Sequence, residues 1–223
     1  MGTRGSVGFI LNGQYKASYN HFDSYPTGLG QDMADFVNKV NAEDGWGKFK
    51  KEAKKVKLVI SAKKPTKAQI EKYIGFSNIG VGSGSVEDWY CLLRETQGAV
   101  SLEKIYEGTL SHMIDSVNFI KDSLFCEWAY IINLDEMTFD IYQGFQKSPD
   151  PKNIFGQTNE DGYYPCKRIV SIPLDRVINE SYMGKLEKLA RDIYRSLEVN
   201  KDVNGTMLHI KNLTNSLEVI TKK

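Results

Sequence analysis

Apolar and polar residues alternate with the two-residue period of a half-buried strand in two parts of the chain. In each, a turn signal folds the pattern back on itself. Residues 6–11 and 14–19 flank Asn12-Gly13, the dipeptide best suited to the positive-φ positions of a tight hairpin. Residues 126–145, CEWAYIINLDEMTFDIYQGF, set two aromatic and β-branched runs on either side of Asp135-Glu136-Met137 and predict a second hairpin. Between them the period becomes helical. Met33, Phe36, Val37 and Val40 follow Gly28 at helical spacing, and residues 66–74 restart a helix behind Pro65. Ser85-Val86-Glu87-Asp88 reads as a capping box ahead of Trp89, Leu92 and Leu93, and another helix is expected over 101–111.

Towards the C-terminus, residues 147–162 are polar and rich in turn formers. Residues 164–170 read as a strand closed by Pro173. Residues 181–197 form an amphipathic helix with Leu186, Leu189, Ile193, Tyr194 and Leu197 inward, and 200–223 read as a short peripheral strand or helix. The order hairpin, helices, hairpin with a strand, helix predicts a single layered α+β domain over residues 1–199. Antiparallel pairing is expected wherever connections are short.

Composition narrows the function. With 41% hydrophobic residues in 223 positions the chain can build an ordinary core. Lys plus Arg total 29 against 28 for Asp plus Glu, a net charge of +1, so no whole-chain field favours nucleic acid or a membrane surface. The N-terminal apolar run is too short for a signal peptide or membrane span. Cys91, Cys126 and Cys166 show no CxxC pair or His at ligand spacing, which points to reduced thiols in a cytoplasm and to no metal site or cofactor. Charge is nonetheless segregated, with nine lysines and the single acid Glu52 between residues 48 and 67. A solvated helix face explains that run, and a surface for a host protein partner is the alternative. The glycine-rich 80–84 loop lacks the Lys-Ser/Thr end of a phosphate-binding loop.

Four segments, MGTRG, GQYKASYNHFDSYPTGLG, DWYCLLRETQG and DSLFCEWAYIINLDEMTFDIYQGFQ, carry a resemblance to an uncharacterised protein family of bacteriophages and prophages, covering residues 1 to about 168. That resemblance implies the cytoplasm of a host cell and a possible role in counter-defence. A more distant likeness is to N-terminal nucleophile hydrolases, whose αββα fold opens on a nucleophile strand and returns a carboxylate beside it. It implies Thr3 as nucleophile, Asp23 positioning it and Asn20 donating to the oxyanion. Met1 and Gly2 stand in front of Thr3, so the free α-amine that such enzymes use as base would require further cleavage.

The candidate chemistry gathers where the second strand ends, in YNHFDSYPTGLG. Asp23 and Ser24 suit a turn, but His21 adds a group able to act as acid, base or ligand contact near neutral pH. Arg4, between glycines at the start of the first strand, can grip an anion, and Lys16 could add a second charge. Residues equidistant from the Asn12-Gly13 turn face one another, which sets Arg4 opposite His21 and Asp23 near Gly2. The residues therefore predict a shared polar mouth for a small anionic metabolite or nucleotide. Thr3, Asn20, His21 and Asp23 are candidates for chemistry, and Arg4, Lys16, Ser24 and Tyr25 for ligand contacts.

Overall fold

Asn12 and Gly13 take φ values of 53° and 69° and close the first hairpin. The computed structural model describes residues 2–158 and 161–198, together with Asn212 and Asn215. Strand β1 (Gly5–Leu11) pairs antiparallel with β2 (Gln14–Asn20), with Leu11 opposite Gln14 and Gly5 opposite Asn20. The second hairpin joins β5 (Trp128–Asn133) to β6 (Thr138–Gln143), and β7 (Lys167–Pro173) adds to β6. Together they form one sheet in the order β2-β1-β5-β6-β7. The Asp135 carboxylate accepts from the Asn12 and Gly13 amides, both at 2.8 Å, and so ties the two hairpin turns together.

The sheet is mixed. β1 runs parallel to β5, with Gly5 beside Trp128 and Phe9 beside Ile132. Short-connection reasoning governs neighbours in sequence, whereas the long insertion between β2 and β5 returns the chain to the end where β1 begins, which parallel pairing requires. That insertion carries α1 (Gln31–Ala42), α2 (Trp46–Ala53), β3 (Lys57–Val59), α3 (Lys67–Tyr73), α4 (Trp89–Leu92), α5 (Ala99–Tyr106) and β4 (His112–Ile114). β3 and β4 pair only with each other, so among the described residues the second sheet is a two-stranded one and not half of an αββα sandwich.

Each face of the main sheet has its own cover. Val7, Phe9, Leu11, Tyr130, Ile132, Phe139 and Ile141 pack with helix residues such as Phe36, Val37, Phe49, Leu102 and Leu186. Ile10, Ala129, Ile131 and Tyr142 on the other face pack against Ile120, Cys126 and Cys166 from connecting segments. The last helix, α6 (Glu180–Glu198), buries Tyr182, Met183, Leu186 and Ala190, while Leu189 is half-buried. The side chains of Ile193, Tyr194 and Leu197 and the predicted peripheral segment 200–223, Asn212 and Asn215 apart, lie outside the described residues.

Two helices differ from their sequence pattern. Asp88, not Ser85, caps α4 by accepting from the Tyr90 amide at 2.9 Å, because the Ser85 hydroxyl is turned to the nearer Glu87 amide. Helix α5 ends before Gly108, whose φ of 80° lets the Thr109 and Leu110 amides both donate to the Lys104 carbonyl; the chain then enters β4. Among the described residues no helix is long and apolar enough to cross a membrane.

Candidate functional site

The start of β1 and the end of β2 share one end of the sheet. The ladder ends with Gly5 opposite Asn20, after which the β2 chain leaves the sheet. The Ser24 amide donates to the Thr3 carbonyl at 3.1 Å, and Gly2 lies against the Phe22 ring and the His21 carbonyl. Asp23 is consequently not opposite Gly2. It occupies the left-handed region at φ 51°, its carbonyl accepts from Leu29 N at 2.8 Å, and its carboxylate lies beside the Tyr25 hydroxyl, which it pushes up in pKa.

Part of the polar cluster is architecture. Ser24 is fully buried: its hydroxyl accepts from Asn20 Nδ2 at 2.8 Å, and its carbonyl accepts from the Tyr130 hydroxyl at 2.9 Å. Asn20 Nδ2 also reaches the Phe22 carbonyl. These bonds hold the exit turn and leave His21, Phe22 and Asp23 outside it. Lys16 is not at the mouth. It faces Phe9 midway along β2 and donates to the Val56 carbonyl at 2.5 Å, with burial lowering its pKa. Thr3 enters the mouth through its backbone, and among the described residues its hydroxyl makes no hydrogen bond to Asn20, His21 or Asp23.

Two arginines stack on aromatic rings in this part of the molecule. The Arg4 guanidinium lies 4.5 Å from the Phe125 ring centre, while its carbonyl accepts from the Glu127 amide at 3.0 Å. Arg94 lies over Tyr90, 5.4 Å from the ring centre, and donates to Gln97. Both act on the hydroxyl of Tyr19, which burial and Tyr90 push up in pKa and the two guanidiniums pull down. That hydroxyl is 2.8 Å from His21 Nδ1. Among the described residues neither arginine has a carboxylate within ion-pair distance. Arg94, Gln97 and Gly98 come from the segment before α5; nothing in their local sequence marks them as site residues.

A ridge of Asn20, Phe22, Gln97 and Val100 separates two recesses. One, about 370 Å³, is lined by His21, Asn78, Val81, Arg94 and Glu95 beside that ridge. The other, about 540 Å³, carries Asp23, Tyr25, Asp32, Asp35 and Glu103. Burial, with Asp35 and Glu103 nearby, raises the Asp32 pKa, so this side disfavours further negative charge. Among the described residues no cluster of three or more His, Cys, Asp or Glu side chains could hold a metal ion. Comparison with protein-family models, curated proteins and solved structures finds no match to this chain.

Proposed function

We propose that the protein binds a small anionic metabolite or nucleotide at the end of its N-terminal hairpin, with Arg4, His21 and Arg94 as the groups facing the anion. The observation that carries this reading is the recess in which Arg94, with no carboxylate within ion-pair distance among the described residues, lies with His21, while the Glu95 carboxylate in the same recess is held by Asn78 at 2.9 Å. Guanidinium groups bind carboxylate and phosphate through paired donors, and a partner already in place would have consumed them. The amides of Asn20, Asn78 and Gln97 line the same recess and supply neutral donors and acceptors for the rest of the ligand. In this reading Lys16 and Ser24 are structural, and Tyr25 and Asp23 border the neighbouring acidic recess. The phage resemblance extends the proposal: sequestering a host signalling nucleotide would make the protein a counter-defence factor.

Thermal shift and calorimetry with inorganic phosphate, nucleoside phosphates, dinucleotides and cyclic dinucleotides test it. Stabilisation by at least one of them is expected. Arg94→Ala should weaken that ligand by about tenfold or more, the scale of a lost charge-assisted hydrogen bond. Stabilisation by none of the panel, or affinity unaltered in both Arg4→Ala and Arg94→Ala, overturns the proposal.

A further inference from the structure

Two of the three cysteines are neighbours. Cys126 lies just before β5 and Cys166 just before β7, both fully buried among Ile10, Ile120, Ile131 and Tyr142. The Cys166 thiol donates to the Cys126 carbonyl at 3.1 Å, and the Cys126 thiol donates to the Trp128 carbonyl at 3.5 Å. Backbone bonds pin both residues, from Cys126 N to Asp122 O at 2.8 Å and from Cys166 N to Ile120 O at 3.0 Å. Cys91 is elsewhere, its thiol donating to the Val81 carbonyl at 3.1 Å. A single buried thiol behaves as a small inert hydrophobe. A second thiol packed in the same cluster changes its chemistry, because a sulfenic acid on one sulfur has a neighbour that can displace its oxygen.

We propose that Cys126 and Cys166 form a modification site that closes into an intramolecular disulfide when a small hydroperoxide reaches it. One sulfur attacks the peroxide oxygen as thiolate, a form that burial makes scarce at Cys126 and that therefore sets a slow step; the O–O bond breaks, and the sulfenic acid forms with release of one water from hydrogen peroxide. The second sulfur then attacks the sulfenic sulfur, the S–O bond breaks, the S–S bond forms, and a second water leaves. The two thiols together give up two electrons and two protons, and the peroxide is reduced. Complete burial selects a small oxidant over a bulky disulfide. The bond ties the approach to β5 to the approach to β7, one residue from Glu127, whose amide holds the Arg4 carbonyl.

Hydrogen peroxide treatment of the full chain, followed by intact mass measurement and a non-reducing peptide map, tests the proposal. A loss of about 2 Da and a Cys126–Cys166 cross-linked peptide are expected. The same result is expected in Cys91→Ser, with a melting temperature several degrees higher that reverts on reduction. In Cys166→Ala the cross-link should vanish, and a dimedone adduct should appear on Cys126. Because the map is made on the unmodified sequence, a variant that fails to fold does not remove the test. Oxygen addition without a cross-link, a link involving Cys91, or three thiols still free after unfolding of the treated chain overturns it.

Discussion

At the scale of single residues, the cluster in YNHFDSYPTGLG divides by burial. Ser24 and Asn20 spend their hydrogen bonds on the turn, whereas His21 and Asp23 face outward. A comparable division governs Glu187, which is nearly buried and accepts from Thr27 N at 3.0 Å and from Thr27 Oγ1 at 2.6 Å. Burial alone would raise its pKa, but the bonds from Thr27 and Arg191 carry it below the ordinary glutamate value. A folded value below the unfolded one stabilises the protein fully above the ordinary range, and the contribution is lost as pH falls through the folded value. Thr27→Val, which removes one of these donors, should therefore cost about 1 kcal/mol at pH 7 and distinctly less near pH 3. Urea unfolding at the two pH values measures this. An equal cost at both would assign the effect to packing.

Elements are held at the mouth by backbone conformations that side chains would spoil. Gly98, which precedes α5, has φ 66° and ψ −149°, and a Cβ there would lie 2.8 Å from Asn20 Oδ1. Glycine alone enters that region cheaply, and the contact couples α5 to the end of β2. Gly98→Ala is expected to lose about 2 kcal/mol or more in urea unfolding, and to weaken any ligand held against the Asn20 ridge. Gly47, in the first turn of α2, has nothing within 4 Å of an added Cβ, so Gly47→Ala should gain about 0.5 kcal/mol. If the two substitutions had similar effects, strain at Gly98 would not be what shapes the mouth.

For the whole molecule, helices and strands share one large apolar cluster that runs from Val7 through Phe36 and Tyr130 to Leu186. No described element of substantial length stands apart from it. Unfolding of the described body should accordingly be a single transition, with far-ultraviolet circular dichroism and the fluorescence of Trp46, Trp89 and Trp128 giving coincident midpoints. Separate midpoints would divide it into independent units. Both hairpins, the apolar face of α1 and the Gly5–Asn20 register were legible in the sequence, because each follows from contacts a few residues apart: a two-residue turn, a repeat of 3.6, a count outward from Asn12-Gly13. The parallel pairing of β1 with β5 and the arrival of Arg94 in a recess with His21 were not. Nor were the burial of Ser24, the removal of Lys16 to Val56 and the meeting of Cys126 with Cys166. Those depend on how the insertion between β2 and β5 packs across the sheet, and such packing is decided by the sum of many distant contacts that no local pattern encodes.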